Sequence, residues 1–221
     1  MQNKKAQSKR VHARAEVTRQ ELLDAALELF STQGFERVST RELAAAAGTT
    51  LSSIQYHFGS KEGLYETVLE SIDARIREEL KPVVRATEEL LSKKSVTRLQ
   101  KLEALMDLVS AHARVILSSG PRWTALVVHE QLRYAELMEP RFDVPAMETI
   151  LTAMRLVATL RKQPVRNAEV RLQTIMLFGR ASIIKMFRSG TYSLMERQEL
   201  TPAHNELIVK LIRTEIRAIF G

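Results

Sequence analysis

Apolar residues recur every three or four positions along most of the chain, which is the spacing of a buried stripe on an α-helix. Leu22, Ala26 and Phe30 form one such stripe, and Gly34 ends it. The alternation of apolar and polar residues that is typical of strands is not a feature of the sequence. The pattern therefore predicts an all-α fold. The predicted helices cover residues 18–33, 39–57 as a pair, 61–91 with a break or kink at Pro82, 97–117, 122–138, 144–161, 166–188 and 202–220.

A pair of short helices joined by a tight turn is predicted early in the chain. Ser39 and Glu42 have the S-x-x-E spacing of a capping box, so the first short helix should begin there. Gly48 should end it, because glycine adopts the left-handed conformation at a helix C-terminus without a steric penalty. Thr49 or Thr50 then offers an N-cap to the second helix.

The second short helix has a free face that suits a DNA groove. Ile54 and Phe58 form its buried stripe, and the other positions carry mainly hydroxyls, an amide, a phenol and an imidazole. The segment is therefore a predicted helix-turn-helix. The residues that we expect to contact DNA are Ser39, Thr40, Thr49, Thr50, Leu51, Ser52, Ser53, Gln55, Tyr56, His57 and Lys61.

The helix before this pair and the segment after it carry a resemblance to a known family. T-R-Q-E-L-L-D-A-A-L-E-L-F-S-T-Q-G-F precedes the pair and F-G-S-K-E-G-L-Y follows its second helix, and together residues 18–65 closely resemble the N-terminal domain of the TetR/AcrR family of bacterial regulators. The resemblance implies an all-helical homodimer whose variable C-terminal domain binds a small molecule and releases DNA. It also implies that Thr40, Thr50, Tyr56, His57 and Lys61 contact phosphates, which their hydrogen-bond donors can do.

Three positions depart from the common pattern of that family. Leu51 stands where a lysine is frequent, Ser52 where a glycine is frequent, and Gln55 where a first tyrosine is frequent. The Gln55 amide is a candidate base reader because it can pair bidentately with adenine, and Leu51 could pack on a thymine methyl group.

Length and composition describe an ordinary globular protein with a polyanionic partner. The chain has 221 residues, 45% hydrophobic and 27% charged, with a net charge of +7. Cysteine is absent, which excludes disulfides and thiolate metal sites. No apolar run is long enough to span a bilayer, and the first residues lack the apolar core of a secretory signal. We therefore expect a cytoplasmic protein with no membrane partner.

The excess positive charge is concentrated at the N-terminus. Residues 1–16 carry five Lys or Arg residues against Glu16 alone, whereas residues 17–65 carry four against six acidic residues. The first segment is either a disordered solvating tail or an arm that contacts phosphates or enters the adjacent minor groove. The predicted organisation is a basic flexible arm (1–16), a helix-turn-helix domain (17–63) and a helical effector-binding and dimerisation domain (64–221).

Catalytic chemistry is not expected. His129 and Glu130 begin an H-E-x-x-H zinc motif, but Arg133 stands where the second histidine must be. The sequence has no glycine-rich phosphate loop and no cysteine nucleophile, so we expect no catalytic residue, metal or cofactor.

The region around His129 and Glu130 is a candidate wall of an effector-binding site. The alternative is that Glu130 and Arg133 form a surface ion pair and that the methionines are ordinary core residues. The candidate ligand-binding residues are Met106, Trp123, His129, Glu130, Arg133, Tyr134 and Met176.

The helices over 144–161 and 166–188 are candidates for self-association. The second is apolar on two faces, one running from Leu172 to Met186, and therefore needs burial on two sides. Its second side either completes a monomer core or meets a partner subunit, and the family resemblance favours a dimer through a four-helix bundle. The predicted dimer-interface residues are Met147, Ile150, Leu151, Met154, Leu177, Phe178, Ala181 and Ile184.

These features predict a ligand-responsive transcription regulator, with double-stranded DNA and a small molecule as its partners. A two-fold dimer reads a palindromic operator, and release by the small molecule makes it a repressor. The alternative is a helical small-molecule sensor or interaction protein whose DNA-binding module is vestigial, which the deficit of positive charge in residues 17–65 and the missing lysine at Leu51 would favour.

Overall fold

The computed structural model describes residues 2–137 and 147–221, and the side chains of all of these except 2–12, 131, 132 and 134–137. Within those ranges the chain is helical apart from short connections, so the predicted all-α fold is confirmed. The predicted helix ends at 138 and 144 lie outside the described residues. The helices are α1 (Gln2–Gln33), α2 (Thr40–Ala46), α3 (Leu51–Phe58), α4 (Lys61–Leu91), α5 (Arg98–Ser118), α6 (Pro121–Leu137), α7 (Met147–Arg161), α8 (Ala168–Met186), α9 (Arg188–Leu194) and α10 (Pro202–Phe220).

The first helix begins at Gln2, much earlier than its predicted start near Thr18. Residues 2–33 contain neither glycine nor proline and are rich in Gln, Lys, Ala, Arg and Glu, which are strong helix formers. The side chains of Ala13 to Val17 are mostly exposed, so local propensity rather than packing accounts for the helix there. The basic segment therefore differs from the predicted flexible arm.

Helix α4 continues through Pro82, where a break or kink was predicted. Proline removes one backbone hydrogen bond of a helix, but its ring here is exposed. Leu80 and Val84, one turn apart on either side, are both buried. Burial of this stripe stabilises the helix across the missing bond.

The chain forms two compact units. The first unit comprises Met1–Ile72 with Gly120–Glu139, and the second comprises Asp73–Ser119 with Pro140–Gly221. The division differs from the predicted boundary after residue 63 in two respects. The first three turns or so of α4, residues 61–72, belong to the first unit, and so does α6.

Helix α6 belongs to the first unit because its inner face packs on α1. Leu126 is fully buried, as are Leu22 and Phe30 on α1. An ion pair joins Arg122 on α6 to Glu28 on α1. These contacts make α6 a structural part of the unit that carries the helix-turn-helix.

The second unit is built around α5, which packs against α7, α8 and α10. Its core is a continuous cluster of aliphatic side chains that includes Leu105, Leu156 and Ile216, each fully buried. Arg213 on α10 pairs with Asp107 and Glu103 on α5 at 2.7 Å and 3.0 Å. Exposed pairs of this kind contribute little, so the aliphatic core accounts for most of the stability of the unit. Among the described residues, no helix is long and apolar enough to cross a bilayer.

Candidate nucleic-acid interface

The start of α2 is fixed by the predicted capping box. The Glu42 carboxylate accepts hydrogen bonds from the Ser39 hydroxyl at 2.7 Å and from the Ser39 backbone N–H at 2.8 Å. In return, the Glu42 backbone N–H donates to the Ser39 hydroxyl oxygen at 3.2 Å. The Ser39 hydroxyl and then its backbone N–H lower the pKa of Glu42 below its ordinary value. Ser39 is therefore occupied in holding the helix.

The turn between α2 and α3 depends on Gly48, as predicted. Its φ of +62° lies in the left-handed region, and nothing lies within 4 Å of where a Cβ would stand. The requirement for glycine is therefore one of backbone conformation, not of space. The Thr49 N–H closes the turn by donating to the Ala44 carbonyl at 2.9 Å.

Four hydroxyls at the start of α3 bond to one another. Thr50 is the N-cap residue, but its side chain makes no capping hydrogen bond. Thr49 donates to Ser53 at 2.8 Å, and Thr50 shares hydrogen bonds with Ser52 at 2.8 Å and with Ser53 at 3.2 Å. Each hydroxyl has one hydrogen to donate, so three of the four are used within this cluster.

The outward face of α3 carries no formal charge. Ile54 is buried, whereas Leu51 and Tyr56 are 48% and 80% exposed, and Ser52 and Gln55 are exposed as well. The Tyr56 ring meets the His57 ring edge-on, with centroids 4.8 Å apart. The face therefore offers an amide, a phenol and an aliphatic side chain to a partner.

Lys61, a predicted phosphate contact, has its ammonium group turned toward the protein. Its Nζ donates to the carbonyl oxygens of Phe35 and Val38, each at 3.1 Å, and lies 4.1 Å from the centre of the Phe35 ring. An ammonium has three hydrogens, so one remains for a phosphate. The sequence could not predict this arrangement, because the two carbonyls come from a loop more than twenty residues earlier.

A shallow concavity of about 360 Å³ lies between α3 and the starts of α2 and α4. At its edge, the Ser60 hydroxyl caps α4 by accepting from the Gly63 N–H at 3.1 Å. The Glu62 backbone N–H, then the Ser60 side chain, lower the pKa of Glu62. The lining residues are Thr40, Leu51, Ser52, Ile54, Gln55, Ser60 and Lys61.

Arg41 was not among the predicted DNA-contacting residues. It is an exposed cation on α2, one position after Thr40. Its charge is the signal that could have identified it, since guanidinium groups bind phosphates bidentately.

The candidate effector residues of α6 lie in the first unit. The Tyr65 hydroxyl donates to Glu130, and the Arg133 guanidinium lies 4.6 Å from the Phe35 ring centre and 5.5 Å from that of Tyr65. The Glu130–Arg133 pair of the alternative is present, with Arg133 Nη1 3.9 Å from Glu130 Oε2, but the carboxylate is buried rather than at the surface. His129 lies 3.4 Å from where a Cβ on Gly34 would stand. Trp123 is half-buried, and the side chain of Tyr134 is outside the described residues.

The two candidate methionines lie in the second unit and in opposite environments. Met106 is fully buried in the aliphatic core, whereas Met176 is 64% exposed. The structure therefore does not bring Met176 to an enclosed wall, and it divides the predicted effector residues between two units.

Three of the four predicted dimer residues on α8 face the wrong way for an interface. Leu177, Phe178 and Ala181 are at most 5% exposed because they form part of the core of their own unit. A side chain buried within its own chain has no surface left for a partner. Of the other predicted residues, Leu151 is 50% exposed and Met147, Ile150, Met154 and Ile184 are half-buried.

The opposite side of α8 carries an exposed aliphatic surface, which we call the α8 face. Its five side chains recur every three or four residues along the chain or at multiples of that spacing, and each is between 53% and 64% exposed. Gly179, also exposed, lies in the middle of the face. Leu207 and Leu211 on α10 are exposed too, and Arg180 on α8 pairs with Glu215 on α10 at 2.5 Å. The α8 face consists of Leu172, Ile175, Met176, Ile183 and Met186.

Comparison with known proteins shows which regulators this part of the chain is similar to. Residues 22–68 match the family described as bacterial regulatory proteins, tetR family. The HTH-type transcriptional regulator AcrR of Shigella flexneri is 44% identical over 64 residues, which are 29% of this chain and only 30% of that regulator. The HTH-type transcriptional dual regulator CecR of Shigella flexneri is 27% identical over 207 residues, with 87% of this chain and 85% of that protein covered.

Solved structures show the same fold along nearly the whole chain. A TetR-like transcriptional regulator from Rhodococcus sp. RHA1 superposes with a TM-score of 0.59 at 18% identity, covering 92% of this chain and 96% of that one. A TetR family transcriptional regulator from Pseudomonas syringae pv. tomato str. DC3000 gives 0.57 at 20% identity, covering 90% and 95%.

Proposed function

We propose that this chain, which belongs to the TetR family of bacterial regulatory proteins, represses transcription by binding a palindromic operator as a homodimer and is released by a small molecule. The observation that carries the proposal is the helix-turn-helix. A capping box and a left-handed glycine fix α2 and the turn, and α3 then presents Gln55 and Tyr56 to solvent. These are side chains that bind base edges and phosphates.

The α8 face supports the homodimer. Five neighbouring aliphatic side chains exposed on one helix face are a sizeable apolar patch for a monomer, and such patches mark interaction sites. A second copy of the same face is a self-complementary partner under a two-fold axis. A two-fold dimer also presents two α3 helices, which is what a palindromic operator requires.

Release by a small molecule would be a population shift. Helix α4 is one continuous helix, and its residues belong partly to the first unit and partly to the second. A ligand that binds better to one orientation of α4 would shift the dimer toward that orientation. The free energy of this shift cannot exceed the difference between the ligand's binding free energies for the two orientations. If that orientation changes the spacing of the two α3 helices, the operator is released.

The basic N-terminal segment would contribute through phosphates. As part of α1 it is a helix about 10–12 Å wide with its side chains, whereas the minor groove is about 6 Å wide. Entry into the minor groove is therefore unfavourable for the helical segment, and contacts along the phosphate backbone are the remaining role. A protein that acts on chromosomal DNA works in the cytoplasm, which is where we place this regulator.

A second candidate function is a helical sensor whose DNA-binding module is vestigial. The inward position of the Lys61 ammonium favours it, because this predicted phosphate contact is largely occupied within the protein. The exposed polar side chains of α3 argue against it, since a vestigial helix has no need to keep an amide and a phenol in water.

The experiment is a fluorescence-anisotropy titration of the full-length protein with the DNA upstream of its own gene, at several salt concentrations. An unrelated duplex of equal length serves as competitor. We expect tight binding that survives the competitor and is abolished by Tyr56→Ala, whereas Leu99→Ala, at an exposed leucine of the second unit, leaves it unchanged. Absence of competition-resistant binding to any genomic fragment would support the vestigial sensor.

A further inference from the structure

We propose that α3 reads its half-site at A·T base pairs, with the Gln55 amide on adenine and the Leu51 side chain on the thymine C5 methyl group. The inference rests on the proposed function and extends it by naming the base composition of the DNA ligand. It also makes the thymine methyl group a requirement for tight binding.

The first step is the absence of a guanine reader on α3. The commonest specific contact to guanine is Arg or Lys, bidentate to O6 and N7. Residues 51–58 contain neither. Lys61 is the cation that lines the same concavity, and it donates to the Phe35 and Val38 carbonyls instead. The commonest guanine readers are therefore missing from α3 or turned inward beside it.

The second step concerns the hydroxyls, which could otherwise bond to any base. Ser52 and Ser53 belong to the cluster in which three of four hydroxyl hydrogens are already donated to a neighbouring hydroxyl. Ser52 and Ser53 therefore act chiefly as hydrogen-bond acceptors. A lone acceptor does not distinguish one base pair from another. Base selection then falls to the side chains outside the cluster.

The third step is the position of Leu51 and Gln55. They lie four residues apart, so they are neighbours on one face of α3, and both line the same concavity. Leu51 is 48% exposed, and covering its surface with a methyl group is favourable. Within the described residues no hydrogen bond holds the Gln55 amide, so its donor and acceptor are both available to adenine N7 and N6.

The fourth step is distance. Four residues of helix rise by about 6 Å, and neighbouring base pairs are about 3.4 Å apart. The two side chains therefore reach the same pair or pairs one or two steps apart. Adenine and thymine are complementary, so a short A·T segment satisfies both.

The test begins by selecting bound sequences from a random duplex library with the full-length protein and with Gln55→Ala. The symmetric position at which the variant relaxes selection is the one that Gln55 reads. We expect it to be A·T. Binding is then measured on duplexes with deoxyuridine for a thymine of this segment, which removes only the methyl group, or with 7-deaza-2′-deoxyadenosine, which removes N7.

The wild-type protein should bind the deoxyuridine duplex about fourfold more weakly, which is the value of one buried methyl group. Leu51→Ala should bind both duplexes equally, whereas Leu99→Ala should keep the fourfold difference. Loss of adenine N7 should weaken wild-type binding about fivefold and leave Gln55→Ala unaffected. Deoxyuridine outside the half-sites controls for changes in DNA flexibility.

The outcomes separate the inference from the proposed function. If no sequence is enriched and binding does not survive the competitor, the regulator function fails. If a palindrome is enriched but the position relaxed by Gln55→Ala is G·C, the function stands and the A·T inference is overturned. Equal wild-type affinity for thymine and deoxyuridine overturns the role of the methyl group, and that comparison needs no variant.

Discussion

Two exposed surfaces of this protein differ in what they lack. The outward face of α3 in the first unit carries no formally charged side chain, whereas helices that bind DNA usually carry positive charge. The α8 face in the second unit carries no polar side chain, whereas surfaces exposed to water usually carry polar side chains. On α3 the missing charge points to selection of neutral base edges. On α8 the missing polarity points to a partner of the same apolar chemistry.

The second unit also has the reverse arrangement in its interior. His112 on α5 is buried among aliphatic residues, with its ring edge-on to Phe178 at 4.8 Å between centroids. Its Nδ1 has no hydrogen-bond partner among the described residues. The unit thus holds an imidazole inside and a row of aliphatic side chains outside, and each of these placements costs stability in the isolated chain.

The largest expected effect breaks the α8 face. Ile175→Glu places a charge at a surface where, in a homodimer, each carboxylate would be buried near its symmetry mate. Burial of an unpaired charge costs several kcal/mol, so we expect the dimer dissociation constant to rise at least about 100-fold. Analytical ultracentrifugation measures this, and operator affinity should fall with it.

The control for that substitution is Leu99→Glu, at a leucine that is 65% exposed on α5. It should leave the mass unchanged, and circular dichroism should show both variants fully helical because neither side chain is in the core. A dimer that survives Ile175→Glu at the same concentration would exclude the α8 face as the interface.

The α8 helix also shows where prediction from sequence ends. Caps and turns depend on residues a few positions apart, so the Ser39 capping box and the role of Gly48 could be read directly. The choice between the two apolar faces of α8 depends on which other helices pack against it. Leu177 and Met176 look alike in sequence, yet one lies in the core and the other in water.

The same limit applies to the candidate site. The sequence placed Lys61 beside α3, but the direction of its ammonium depends on carbonyls of a distant loop. It assigned α6 to the C-terminal domain because chain order suggested so, whereas burial of Leu126 with α1 assigns it to the first unit. Local patterns predict elements, and long-range packing decides their partners.

A pH-dependent effect should come from the buried imidazole of the second unit. Burial lowers the pKa of His112 to about 4, from 6.5 in the unfolded chain. Above pH 6.5 both states are neutral there, and stability does not depend on His112. As the pH falls from 6.5 to 4 the unfolded state binds a proton that the folded state does not, so the free energy of unfolding should fall by about 3 kcal/mol.

Urea unfolding of the full-length protein between pH 7.5 and 4 measures this, with His112→Phe as the comparison. Carboxylates titrate in both proteins, so the difference between the two curves isolates His112. His112→Gln provides a second comparison that keeps a neutral polar group. Parallel curves for wild-type protein and both variants would contradict a neutral buried imidazole.

The smallest effect concerns the basic part of α1, and it sharpens the contrast with the uncharged α3 face. Deleting residues 2–14 removes five Lys or Arg residues, so the slope of log affinity against log salt should flatten by about 0.9 for each phosphate that these residues neutralise. If they neutralise one or two phosphates, the deletion should lower affinity about tenfold at low salt and hardly at all at high salt.

The control is a full-length variant in which these five residues are changed to Gln. It keeps strong helix formers and removes only the charge, and its affinity and salt slope should match those of the deletion. Because phosphate contacts carry no sequence information, the ratio of operator to competitor affinity should stay the same in both variants. An unchanged salt slope would show that the segment does not contact DNA, and a changed ratio would mean that part of the base selection lies outside α3.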